Sequence, residues 1–381
     1  MEIKQIATMV NSITNELIGD SAIVNEDLGN IVDVGTAVAN ANAYDTFTQK
    51  LVNRIGKTIF SARKYVGRVP SLVRDNWEFG SMLQKITGAG LIEAQQNDTW
   101  NLTDGTSYDP NKFTKPSLNA KFYNKKVTFE LPQSIAIKQV KQSMSSAAEL
   151  NGLLDMLYNE IEKSLTVKVD SLCMRCINNL ILNTLQKNGK NAVNLLTMFN
   201  TRFRTEGTEL TADKAITEPE FIRYAAYIMR LYATRMRVIN THFNTEGLPR
   251  FTPGDSLNVL LLEDFASAAD IYLYSNTFHD DFVKLPTAET VPYWQGTGES
   301  YAFADISKID AKAAGAQAVV INPHSGIIGV MYDKDAAGVC LEDSYVTSQV
   351  NNKAEFVNNW HKYEAEYIND YSEQNCVFYV A

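Results

Sequence analysis

Apolar residues between Leu150 and Leu180 recur at intervals of three and four. Leu150, Leu154, Leu157, Ile161, Leu165, Val169, Leu172, Cys176 and Leu180 trace one face of an α-helix, while Asp155, Asn159, Glu162, Lys163, Thr166 and Asp170 occupy the others. Ser146 and Glu149 stand at capping-box spacing, and Asn188-Gly189 is a pair suited to a left-handed helix end. The pattern predicts one helix over 146–188, a rod of roughly 60 Å at 1.5 Å per residue. Its charges exclude a membrane span.

The flanks are irregular. Ile3, Ile6, Val10, Ile13 and Leu17 predict an amphipathic helix over 2–18, stopped by Gly19-Asp20. Ala22 to Asn42, rich in Asn, Asp and Gly, reads as an extended arm. Phe47, Leu51, Ile55, Ile59 and Phe60 predict a second helix from Asp45 to about Lys64. Residues 71–120 hold Gly88, Gly90, Gly105, Pro110 and Pro116 and have little period. Loops of that length are usually functional or contact something else. Val127, Phe129 and Leu131 then alternate with polar residues as a strand that Pro132 is expected to end. The whole reads as a projecting hairpin arm leading into the long helix.

Beyond Gly189, Pro219 opens a helix running to about Val238, with Ile222, Ala225, Ala226, Met229, Tyr232 and Met236 on its apolar side. Its arginines, Arg223, Arg230, Arg235 and Arg237, read as a solvated, ion-paired face rather than a nucleic-acid site. Leu257–Leu262, Ala318–Ile321 and Ile327–Met331 read as strands, and Asp264 begins a short helix. Tyr345, Phe356, Trp360, Tyr363, Tyr367, Tyr371 and the 376–380 run suggest an aromatic sheet, although the spacing 360, 363, 367, 371 also fits a helix.

A formal charge of −9 argues against general affinity for nucleic acid, which needs a basic surface. Cys173 and Cys176 form a C-x-x-C in mid-helix rather than at the N-terminus where a redox pair gains from the helix dipole; they read as buried helix cysteines, and Cys340 and Cys376 complete the four. No secretory signal pattern opens the chain, so a reducing cytoplasm is expected. The histidines His242, His279, His324 and His361 stand at no metal-binding spacing, and His279-Asp280-Asp281 reads as a solvated loop cluster. Gly88-Ala89-Gly90 and Gly296-Thr297-Gly298 do not extend to a dinucleotide fingerprint, and neither a phosphate loop nor a nucleophile elbow occurs. Asn97 and Asn101 match the glycosylation pattern, which carries no meaning without secretion. The expectation is no catalytic, cofactor-binding or metal site, and no enzyme.

The order of elements (arm, long β-loop, very long helix, mixed region, aromatic strands) resembles the Hong Kong 97-type fold of tailed-phage major capsid proteins. Local phrases carry the likeness further: Asn30-Ile31-Val32-Asp33-Val34-Gly35, Leu131-Pro132, Phe278 to Pro286 leading to Trp294-Gln295-Gly296, and the closing Asn-rich aromatic strands. The resemblance implies an α+β capsid fold in four parts. Residues 1–66 would be an N-terminal arm and helix. Residues 67–145 would be an extended loop lying over a neighbouring subunit. Residues 146–199 and 331–381 would form a peripheral domain with its spine helix at 146–188, and 200–330 an axial domain. It favours strand over helix for 355–371.

The implied function is a major capsid protein that self-assembles, as hexamers and pentamers, into the icosahedral head shell around a double-stranded DNA genome. It would be made in the host bacterial cytoplasm and end in the virion. The short helix at 2–18 stands where some relatives carry a long scaffolding segment, so a separate scaffolding protein and a portal are expected partners, with packaged DNA nearby and no membrane. Lys112, Lys115, Lys121, Lys125 and Lys126 lie in or beside the loop, but no motif carries over the covalent cross-linking of some relatives. Two alternatives stand beside this reading. One is a nanocompartment shell of the same fold; the other is a cytosolic enzyme built around His242, His279 or His324.

Overall fold

The computed structural model describes residues 3–41, 46–50, 67–74, 83–138, 147–274, 288–310 and 324–381, except positions 20–22, 28, 48–49, 89, 93, 95–96, 112–114, 116, 124–125, 188, 297–298 and 301. In chain order the main elements are α1 (Ile3–Ile18), α2 (Ile31–Asn40), β1 (Val73–Arg74), β2 (Leu83–Gly88), β3 (Leu118–Tyr123), β4 (Lys126–Ala136) and α3 (Ala147–Lys187). They continue with β5 (Ala192–Asn194), α4 (Leu195–Phe203), α5 (Pro219–Met236), β6 (Leu257–Leu262), α6 (Glu263–Tyr274), β7 (Glu289–Val291), β8 (Ile327–Asp333), β9 (Ala337–Asn351), β10 (Phe356–Asn369) and β11 (Asn375–Tyr379). The chain divides into two compact units. One holds 1–76, 126–173 and 339–367; the other holds 77–125, 174–338 and 368–381.

The first unit is built on a four-stranded sheet of order β1-β9-β10-β4. β1 runs parallel to β9, and β10 runs antiparallel to β4, from Phe356 opposite Ala136 to Glu366 opposite Lys126. Phe129 and Tyr363 are cross-strand partners whose rings stack at 5.5 Å. Pro132 does not end β4, as its sequence position suggested. β4 is an edge strand, so a residue without an N–H removes no ladder bond on its open side. On α3, Leu157, Ile161, Leu165 and Val169 are buried as their spacing predicts. Arg68 grips Asp170 of α3 three ways: its Nε at 2.7 Å, its Nη2 at 2.6 Å and its backbone N–H at 3.0 Å from the carboxylate.

Residues 22–42 are not a wholly extended arm. Ile31, Val34 and Val38 share a face and are buried, which makes a short helix worth forming despite Gly35. α1 ends at Gly19, whose φ of +68° is the left-handed cap conformation that glycine adopts without a Cβ clash. The expected helix over 45–64 falls largely outside the described residues, as do Ser146 of the capping box and the expected strand at 318–321. α3 ends at Lys187, and Asn188 of the pair expected to close it lies outside the described residues.

The second unit holds a five-stranded mixed sheet, β5-β11-β8-β6-β7, in which β5 pairs parallel with β11 and β6 parallel with β7. Mixed pairing with separate helices defines an α+β fold. α4, α5 and α6 cover the sheet through Phe199, Phe221, Phe265 and Met229, packed with Met331 and Phe378. From Met174 onward α3 is buried on most sides, through Cys176, Ile177, Leu180, Ile181 and Leu182. All four cysteines are buried, Cys173 and Cys176 as read from the sequence. Cys176 Sγ lies 2.6 Å from Asn369 Oδ1, and Asn369 Nδ2 donates to the Cys176 carbonyl at 3.0 Å. Residues 356–369 are strand, as the resemblance implied, rather than helix.

Candidate assembly interface

β2 and β3 form an antiparallel hairpin in which Lys85 stands directly opposite Lys121. Two ammonium groups facing each other across a ladder repel. Here one carboxylate lies between them: Asp370 Oδ2 is 2.9 Å from Lys85 Nζ, and Oδ1 is 3.0 Å from Lys121 Nζ. Lys85 also reaches Glu373 at 2.8 Å, and Lys121 reaches Glu246 at 2.6 Å. The Ser372 hydroxyl donates to Asp370 at 2.6 Å, and Arg250 Nη1 donates to the Gly88 carbonyl at 3.1 Å. Asp370 is 1% exposed.

Burial alone would raise the Asp370 pKa, but the Lys85 charge and the Ser372 hydrogen bonds outweigh it and hold the carboxyl below its ordinary range. Burial likewise works against the Lys85 ammonium, and Asp370 and Glu373 outweigh it and raise its pKa. Burial, reinforced by Asp370, pushes the Tyr123 phenol up. The hairpin base is therefore held by buried, charge-assisted hydrogen bonds, the strong kind.

What this base carries is the opposite of buried. Every residue from Gly90 to Leu118 whose exposure is described is exposed, including Leu91, Ile92, Leu102 and Tyr108, with Trp100 at 93%. Ile86, Leu118 and Phe122 extend the same character down the hairpin. So much apolar surface on a long polar loop marks a binding face rather than a failed core.

The residues singled out from sequence scatter. Lys121 joins the cluster, Lys126 pairs with Glu342, Lys115 is exposed, and Lys112 and Lys125 lie outside the described residues. His242 is exposed and His324 sits in a backbone bridge with Ile309; His279 to Asp281 lie outside the described residues. His361 is buried, with no hydrogen-bond partner for either ring nitrogen among the described residues, and burial pushes its pKa down to about 4. Among the described residues no group of His, Cys, Asp and Glu is arranged to hold a metal ion, and no helix is long and apolar enough to cross a membrane. Asp370 and Glu373 escaped the sequence reading. The one available signal was the pair of inward lysines on facing strands, which demands a buried acid from elsewhere.

A mixed α+β body with a long apolar loop fixed at its base is the build of a subunit made to be completed by neighbours. Solved structures share the fold. A capsid chain of Staphylococcus phage Andhra superposes with a TM-score of 0.52 at 10% identity, covering 81% of this chain and 83% of that one. A chain from the structure of the head fiber and inner core protein gp22 of native bacteriophage P68 gives a TM-score of 0.52 at 8% identity, covering 84% and 86%. No curated protein matches the sequence. The fold is that of phage capsid subunits. The chain belongs to the Phi29-like phage major capsid protein family, whose model matches residues 6–379. Its role is that of a capsid shell protein, a structural subunit of a multimeric shell, and the nanocompartment and enzyme readings are not favoured.

Proposed function

We propose that the chain is a Hong Kong 97-type subunit that closes into an icosahedral head around double-stranded DNA, with α3 as the spine of a peripheral domain. In this reading residues 1–66 form the arm, 67–145 the extended loop, 146–199 and 331–381 the peripheral domain, and 200–330 the axial domain. The observation that carries it is the exposed apolar loop at 90–118 on its charge-locked hairpin base. A shell subunit needs several interfaces, each of the order of 1,600 Å² in total, and a long loop supplies area without enlarging the body. Exposed loop backbone and apolar side chains gain their stabilisation on a neighbour. Hexamers and pentamers, a separate scaffolding protein and a portal complete the scheme, with assembly in the host cytoplasm and no catalytic, cofactor or metal role for the chain.

The test is expression of the chain alone and with the scaffolding protein encoded beside it, followed by light scattering and negative-stain microscopy. Closed shells or five- and six-membered capsomers are expected. A monodisperse monomer or dimer under both conditions, across salt and pH, would contradict the proposal.

A further inference from the structure

The second unit carries a groove of about 460 Å³ between α4 and α5, lined by Phe199, Arg202, Phe203, Arg223 and Tyr227 with Glu220 at its rim. Its floor is an aromatic cluster: Phe199 and Phe203 lie 5.2 Å apart, and Phe203 meets Tyr224 edge-on at 5.4 Å. Phe203 and Tyr227 nonetheless remain 51% and 55% exposed, a large apolar area for surface aromatics. The rim is basic in effect. Glu220 is drawn to Arg204 at 3.3 Å, while the Arg202 guanidinium lies 5.6 Å from the Phe203 ring centre and Arg223 is exposed.

The same chain carries a segment of matching chemistry. Residues 97–111 contain Asp98, Asp104 and Asp109 and no lysine or arginine. In their midst Trp100 is 93% exposed and Leu102 is 64% exposed, so in the single subunit neither is seated in a groove. An indole placed among Phe203, Tyr227 and two guanidiniums gains ring packing and cation–π attraction together. Trp and Arg in a desolvated pocket are the residues that dominate interface energetics.

We propose that the Trp100 segment of one subunit docks in the α4–α5 groove of a second copy, with Trp100 as anchor, Leu102 beside it, and Asp104 and Asp109 against Arg202 and Arg223. This deepens the shell reading and rests on it. It names which part of the loop is held, by which face, and through which charges.

Two measurements on assembled shells test it. Hydroxyl-radical footprinting of the wild-type protein, free and assembled, needs no variant: Trp100, Phe203 and Tyr227 are expected to lose reactivity together on assembly. A double variant, Trp100→Cys with Tyr227→Cys, is then co-assembled under oxidising conditions with an equal share of wild-type chain, so that many variant chains adjoin one another. Disulfide-linked subunit pairs are expected, absent from either single variant and from Trp100→Cys combined with Val238→Cys. Shells in which Trp100 or Tyr227 stays reactive, or in which both are protected but the 100–227 link does not form, would overturn the docking while leaving the shell reading intact. Absence of shells from wild-type chain would instead overturn the shell reading and this inference with it.

Discussion

Asp370 is the residue on which the loop's attachment turns. It neutralises two lysines that the register of β2 and β3 forces together. Asp370→Asn keeps the shape and removes the charge, leaving Lys85 and Lys121 facing each other. A loss of about 2–4 kcal/mol is expected in urea denaturation of the unassembled chain, given that breaking a buried pair strands its partner. The pH dependence follows from the shifts. Asp370 is depressed, so its contribution is present above the ordinary carboxylate pKa of about 4 and lost as pH falls through the lower folded value. Lys85 is raised, so its contribution is present below about 10.4 and lost as pH rises through the higher folded value.

His361 acts in the same direction as Asp370 but from a higher pH. Its folded pKa of about 4 means that stability is full above the ordinary histidine value and declines as pH falls from there. The decline is expected to approach about 3 kcal/mol near pH 4, and His361→Leu should flatten it in denaturation curves taken from pH 7 to pH 4. A third residue, Gly326, is fixed by space. Its φ is +78°, and a Cβ there would stand 1.9 Å from the Val380 carbonyl oxygen. Gly326→Ala should cost about 3 kcal/mol or more, read as a lowered denaturation midpoint. None of these three was legible in the sequence. Asp370 lies 285 residues from Lys85, and the crowding at Gly326 comes from the far end of the chain.

At the scale of elements much more was legible, because period and burial coincide. α3, α5 and β6 stand where their spacing placed them, since each buries a stripe or run that the chain spells out locally. The errors have local causes. α2 hid behind Asn, Asp and Gly, and was betrayed only by Ile31, Val34 and Val38. Pro132 was read as a stop because a lone sequence does not say which strands are edges. The arm was expected to return on the strand at 127–131, but that strand is β4 and pairs with β10; the loop's own strands, β2 and β3, lie in the stretch that showed little period. Replacing residues 90–117 with a short turn should leave the described core folded, with unchanged far-ultraviolet circular dichroism apart from the lost length. Because every residue of that segment whose exposure is described is exposed, its removal should abolish shell formation in light scattering.

For the whole molecule, the proposed reading gives the acidic balance of −9 a sense that composition alone did not impose: a wall beside packed DNA is not to adhere to it. On that proposal, the locked hairpin and the apolar loop belong to a surface that other copies complete. Cryo-electron microscopy of the assembled particle tests this most directly. The account predicts a closed icosahedral shell in which the loop between Gly88 and Leu118 lies on a neighbouring subunit while Asp370 still bridges Lys85 and Lys121 at its base. A particle that does not close, or a loop folded back over its own subunit with its apolar side chains buried there, would contradict it.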